Sequence, residues 1–223
     1  MSKSTLLMTA LFAILTPLPI QAGNFYAGAL GGLATLSGDG RSILSPSSSQ
    51  VSLYKPENGP AINLFAGWDI ADYVSVQGNY IGNRNDLTLV STGFGSKGPS
   101  AYKEFRGSQQ SSFIGDLLVY FRKRDSKVRP YLSGGTGIVH LASSAGILGD
   151  VTGSPQLPPQ EFSSTDIGLR VAVGMDVRLR KGWAFRYSFS ETISHNPISD
   201  ELSPLGQRGL KNFQNLFGFV KHF

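Results

Sequence analysis

Asp166-Ile167-Gly168-Leu169-Arg170-Val171-Ala172-Val173-Gly174-Met175-Asp176-Val177-Arg178-Leu179 is the stretch that decides the fold. Its odd-numbered residues, from Ile167 to Leu179, are all large and apolar. Its even-numbered residues are Asp, Arg, Gly or Ala. Side chains of a strand point alternately to opposite faces, so a period of two gathers seven apolar side chains on one face and the charges on the other. Both soluble and membrane barrels alternate in this way. The size and greasiness of the apolar face separate them. An eight-stranded barrel has an interior just wide enough for side chains to fill. Seven bulky residues per strand therefore suit the outside, against lipid, with the charges and small residues inside.

The same alternation continues outward. Lys181-Gly182 is a tight hairpin, after which Trp183, Phe185, Tyr187 and Phe189 oppose Ala184, Arg186, Ser188 and Ser190. Ile62, Leu64, Ala66 and Trp68 oppose Asn63, Phe65, Gly67 and Asp69. Val74, Val76, Gly78 and Tyr80 oppose Ser75, Gln77, Asn79 and Asn83, with Ile81 the exception. Turn residues and alternation predict eight strands, at 24–34, 61–70, 73–84, 110–121, 129–141, 164–179, 183–193 and 210–223. The connections alternate in length. Thr35–Pro60, Asn85–Gln109, Ala142–Ser163 and Ser194–Gly209 are long; those near Ala71-Asp72, Arg122–Val128 and Lys181-Gly182 are short. The prediction is an all-β fold, an eight-stranded antiparallel up-and-down transmembrane β-barrel with long loops outside the cell and short turns in the periplasm. Aromatics near the short turns, namely Phe25, Tyr26, Trp68, Tyr73, Phe121, Tyr131, Trp183 and Phe223, are expected to form an interfacial girdle.

Composition agrees. Charged residues are 16% of the 223, against about 25% in soluble domains. Glycine is 27 of 223, well above the ~7% average. Aromatics at 11% exclude a disordered chain. No apolar run approaches the ~18 residues of a helical span. The absence of Cys excludes disulfides, thiolate metal sites and cysteine nucleophiles. Residues 1–22 read as a secretory signal peptide: Lys3, an apolar stretch from Leu6 to Leu15, then Pro17, Pro19 and a small residue at Ala22. Cleavage after Ala22 leaves residues 23–223 as one barrel domain.

Asp116, Asp166, Arg170, Asp176, Arg178 and Arg186 are the expected luminal charges. Of these, Asp116, Arg170 and Arg186 are expected to form a buried ionic network that closes the lumen, because unpaired charges there would be costly. Catalysis would need a nucleophile with a base, or a His–Asp pair activating water. Only His140, His195 and His222 could serve. His195 with Ser194 or Asp200 is the best candidate; a loop histidine is ordinarily solvated, and no enzyme, cofactor or metal is expected. Arg122, Lys123, Arg124, Lys127 and Arg129 surround one short turn with only Asp125 opposing. Export removes nucleic acid as a partner, which leaves a solvated turn or a rim facing anionic headgroups.

Four segments carry a resemblance. They are Phe65-Ala66-Gly67-Trp68-Asp69 with Gln77-Gly78-Asn79-Tyr80; Val128-Arg129-Pro130-Tyr131 with Gly134-Gly135-Thr136-Gly137-Ile138-Val139-His140; Gly174 to Leu179 with the hairpin after it; and the last strand, where Phe213, Phe217, Phe219 and Phe223 share a face broken by Asn215 and Lys221. They are similar to the small outer-membrane β-barrel family, of the OmpA transmembrane type. The resemblance implies residence in the outer membrane and contact with its lipids and lipopolysaccharide. It also implies a monomer, and delivery by the barrel assembly machinery, which would read Phe217, Phe219 and Phe223 as its signal. It implies a role in envelope structure or surface interaction, with at most a narrow, plugged pore. A barrel enzyme acting on lipid A and a surface adhesin or ligand-binding barrel are the alternatives.

Overall fold

The structure, a computed structural model, describes residues 25–37, 41–44, 49–54, 57–95, 98–153, 161–196 and 209–223. Eleven strands form one sheet: β1 (Phe25–Ser37), β2 (Arg41–Leu44), β3 (Ser49–Tyr54), β4 (Glu57–Ala71), β5 (Val74–Gly95), β6 (Gly98–Tyr120), β7 (Val128–Ser144), β8 (Ile147–Thr152), β9 (Glu161–Arg178), β10 (Trp183–Ser194) and β11 (Leu210–His222). Eight of them close a ring in the order β1-β4-β5-β6-β7-β9-β10-β11, every pair antiparallel. The seam joins the first strand to the last from Tyr26↔His222 to Ser37↔Lys211. The predicted signal peptide lies outside the described residues.

The faces follow the alternation. Ile167 on β9 is 77% exposed and Arg170 only 3%. Ile62, Leu64, Phe113, Leu117, Leu132, Phe217 and Phe219 likewise face out. On that outer face Tyr187 Oη donates to Asn215 Oδ1 at 2.7 Å, which accounts for one of the two polar residues amid the β11 phenylalanines. The interior is not uniformly polar, as the sequence reading expects. Tyr26, Leu30, Ala34, Ala61, Phe65, Ala184, Leu216 and Val220 form an apolar cluster on β1, β4, β10 and β11, and Leu118, Tyr120 and Tyr131 a second on β6 and β7; buried polar side chains are interspersed on the same strands, Asn63 and Asp69 on β4 and Asn212 and Gln214 on β11. A lumen filled by side chains leaves no water to require polarity, so aliphatic packing serves equally well between the polar groups.

Three predicted loops are corrected. Asn85–Gln109 is almost entirely strand: β5 and β6 stay in register from Val74↔Val119 out to Gly95↔Gly98. The connection 35–60 supplies β2 and β3, with β3 paired to distal β5, and 142–163 supplies β8, paired to distal β6. The long-loop end thus carries a five-stranded sheet, β2-β3-β5-β6-β8, continuous with the barrel wall. The short turns are as read. Lys181 (φ 59°) and Gly182 (φ 75°) both take left-handed backbone, as a two-residue primed turn requires.

Candidate functional site

The lumen holds the densest chemistry. Register places Arg186 on β10 opposite Asp176 on β9. Arg186 Nε donates to Asp176 Oδ1 at 2.6 Å and Nη2 to Oδ2 at 2.7 Å, a bidentate pair. Its remaining donors reach Gln77 Oε1 at 2.7 Å and Tyr120 Oη at 2.9 Å. The guanidinium also lies 4.9–5.5 Å from the ring centres of Phe65, Tyr131 and Tyr26. Tyr26 Oη donates to the same Gln77 oxygen at 3.1 Å. One cation is therefore ringed by β1, β4, β5, β6, β7 and β9, the whole far wall of the barrel.

A second pair sits deeper along the axis. Arg170 Nη1 bonds Asp116 Oδ2, which also accepts from Asn79 Nδ2 at 3.1 Å. Asn79 in turn accepts from Asn63 at 3.2 Å and Gln77 at 2.7 Å. Further toward the long loops, Asn212 donates to Asn83 at 2.9 Å and to Gln110. Beyond that, Arg106 Nε donates to Glu104 Oε1 at 2.9 Å inside the distal hairpin. At the short-turn end Asp69 accepts from Ser75, with Arg124 at 3.5 Å, Arg129 at 3.9 Å and His222 at 3.9 Å around it. Stacked in this way, paired charges and amides fill the bore layer by layer.

Of the predicted trio, Asp116 and Arg170 pair with each other. Arg186 takes Asp176 as its direct counter-ion, because directly opposed residues of adjacent strands are nearest, and it reaches Asp116 through Gln77 and Asn79, at 2.7, 2.7 and 3.1 Å. Arg178, expected inside, is exposed at the rim and donates to the carbonyls of Asp125 and Arg124. Arg129, counted with the turn, faces inward over the Tyr120 ring at 3.7 Å. Asp69, Gln77, Tyr120, Glu104 and Arg106 were not singled out. Parity with Asn63 and Asn79 marks the first two, and continued alternation past Gln109 marks the last two.

The girdle needs one correction among its core members. Trp68, Tyr73, Phe121 and Trp183 are on the outer face or at the rim. Tyr131 is 4% exposed and packs inside against Tyr120 at 5.6 Å, since it shares parity with Arg129 and Ser133. Tyr26 is inside as well. Phe217, Phe219 and Phe223 are exposed on one outward row. Lys221, which breaks that row, reaches the Lys181 carbonyl at 2.7 Å with its ammonium 5.6 Å from the Trp183 ring.

Among the histidines, His222 lies 3.9 Å from Asp69, a carboxylate already engaged by Ser75, Arg124 and Arg129. His140 Nδ1 is 2.8 Å from Thr165 Oγ1 on the outer face. His195 is half-buried beside β10, and Asp200 lies outside the described residues.

The chain matches the family described as outer membrane protein beta-barrel domain over residues 4–220. No curated protein is similar enough to match it. Among solved structures it resembles Neisserial surface protein A at 18% identity and a TM-score of 0.56, covering 89% of this chain and 97% of that one. Ail, the attachment invasion locus protein of Yersinia pestis, aligns at 13% identity and a TM-score of 0.49, covering 90% and 99%. OprG from Pseudomonas aeruginosa aligns at 17% identity and 0.46, covering 90% and 96%. With a match spanning nearly all of its length, and a closed antiparallel ring with an apolar exterior to account for it, the chain belongs to the outer membrane protein β-barrel family.

Proposed function

We propose that the chain is a non-enzymatic, monomeric barrel of the outer membrane, exported by its first 22 residues, whose lumen is plugged and whose long-hairpin end meets the outside. The observation that carries this reading is the five-stranded sheet at that end. Ordinary loops would be irregular; here β5 and β6 run on far past the apolar belt and recruit β3 and β8. Phe105, Ile147, Leu148 and Val151 are exposed on this sheet. Apolar side chains grouped on a rigid polar support mark interaction surfaces. The Arg186–Asp176, Arg170–Asp116 and Arg106–Glu104 pairs inside the bore support a plug, because each of these ions has its counter-ion within contact. Lipids and lipopolysaccharide surround the apolar exterior, and Phe217, Phe219 and Phe223 present the row that the assembly machinery would read.

The chain has no Cys, so single cysteines report without background. Val151→Cys in β8 is expected to react with an impermeant maleimide on intact cells, and Lys123→Cys in the short turn only after lysis. The reverse pattern would overturn the orientation. Lipid A from cells with and without the protein is expected to be identical by mass spectrometry, and loss or gain of an acyl chain would refute the non-enzymatic part.

A further inference from the structure

The short-turn rim contains a cavity of about 270 Å³ between the turn after β6 and the β9–β10 hairpin. Arg124, Arg129, Arg178, Lys181 and His222 line it, with Trp183 at its edge. The one carboxylate among its lining residues is Asp176, already committed to Arg186. Arg178 spends its donors on two neutral carbonyls, which also tie the two turns together and hold the cavity open. Arg129 donates to the Asp72 carbonyl at 3.0 Å, and its Nε, though buried, has no hydrogen-bond partner. No carboxylate pairs with Lys181 among the described residues, and its backbone stands at φ 59°, where a lysine is less at ease than glycine. Asp69, just behind the lining, faces Arg124, Arg129 and His222 at 3.5–3.9 Å; Arg124, Arg129, Arg178 and Lys181 still outnumber it, so positive charge exceeds negative charge in a concave, partly enclosed place, where fields are focused.

The size and the level of the cavity choose the ligand. It is smaller than the ~300–1,000 Å³ of pockets that enclose drug-sized molecules, so it takes a headgroup fragment rather than a sugar chain. Trp183, at its edge, is 45% exposed on the outer face with the Lys221 ammonium 5.6 Å from its ring, and Phe25 and Phe223, also exposed at this end, have rings 5.7 Å apart. Tryptophan at a strand end sits where headgroups begin. We propose that this cavity binds the phosphodiester of a net-anionic glycerophospholipid from the leaflet at the short-turn end. The inference rests on the outer-membrane reading above. The phosphate would accept from the guanidinium donors left over in the cavity, with Lys181 as a point charge, while the acyl chains run down the apolar wall beside Trp183.

The test uses the purified full barrel in neutral detergent, titrated with dihexanoyl-phosphatidylglycerol and followed by native mass spectrometry. One lipid is expected to bind. Arg124→Gln with Lys181→Gln should weaken it about tenfold or more, given the effect of single cations near anionic lipid. Arg122→Gln with Lys123→Gln, equal in charge and outside the cavity, should leave it nearly unchanged. Lys181→Gln alone changes an exposed turn side chain and should still weaken binding, even if Arg124→Gln disturbs Asp69. Dihexanoyl-phosphatidylcholine should bind far more weakly, and inorganic phosphate at matched concentration should not compete. Equal loss in both double variants, no loss in Lys181→Gln, or equal binding of phosphatidylcholine would overturn the proposal. Displacement by inorganic phosphate would replace the lipid with a free anion. Compartment plays no part in detergent, so an error in the outer-membrane reading would show in the cysteine labelling instead.

Discussion

Arg186→Met should be the costliest single substitution in the barrel, and its cost should depend on Asp176. The arginine is fully buried and makes four hydrogen bonds, two of them to one carboxylate. Methionine fills most of the space, so little of the effect is cavity. What remains is a buried carboxylate whose one other side-chain donor among the described residues is Tyr120 Oη at 3.3 Å. Breaking a buried pair from one side costs about 3–5 kcal/mol. At about 1.4 kcal/mol per decade, that is two to three and a half decades in the folded-to-unfolded ratio. Asp176→Asn should fall at the low end of the range, since Arg186 keeps Gln77, Tyr120 and three aromatic faces. The double variant should come within about 1–2 kcal/mol of wild type, as apolar or neutral replacement of whole buried pairs does. The assay is equilibrium denaturant unfolding in lipid vesicles. The two tryptophans, Trp68 and Trp183, report transfer from lipid to water from the opposite face of the wall. Single costs that add to within about 0.5 kcal/mol would show that the two groups do not act as a pair, and the plug would lose its energetic basis.

Arg170→Met with Asp116→Asn should be neutral or mildly stabilising in the same assay, because Asp116 Oδ1 and Arg170 Nε are buried without hydrogen-bond partners; a loss above about 2 kcal/mol would refute this. Deleting Phe223 should lower the amount of protein reaching the outer membrane several-fold while leaving refolding into detergent unchanged. Equal loss in both would make that residue a packing element only, through its contact with Phe25.

The eight strands of the ring and most of their faces are legible because they depend on the period of two and the short turns, which the Ile167–Leu179 row and Lys181-Gly182 display without interruption, whereas β2, β3 and β8 are not. Loop character was not. Asn85–Gln109 is rich in Gly, Ser and charges, which read as turn, yet β5 and β6 continue through it by pairing with each other to Gly95↔Gly98, supported at the edges by β3 and β8, which lie far away in sequence. Tyr131 was misplaced for a different reason. Its place beside a turn reads as girdle, whereas its parity with Ser133 and Arg129 puts it inside. Arg186 and Asp176 were both recognised as luminal, but their pairing is a matter of register, which the sequence fixes only once the Lys181-Gly182 turn is counted across residue by residue.

The misplaced tyrosines expose how the lumen is filled. A Cβ added at Gly67 would meet the Tyr26 ring, and one at Gly174 would meet Tyr131. Each glycine makes room for a ring, and the rings enclose Arg186. Chain chemistry thus runs from a missing side chain on one strand, through an aromatic on the next, to the orientation of a buried cation. Gly67→Ala tests that order, because all three of its nearest neighbours would be atoms of the Tyr26 side chain. Pushing that ring should cost about 1–3 kcal/mol, the usual penalty of overpacking. In a Tyr26→Ala background the clash is gone, and the same glycine substitution should cost nothing or gain slightly, since alanine restricts the unfolded chain more than glycine does. If the penalty persisted in that background, the glycine would be required by its own backbone, and the ring would owe its position to something else.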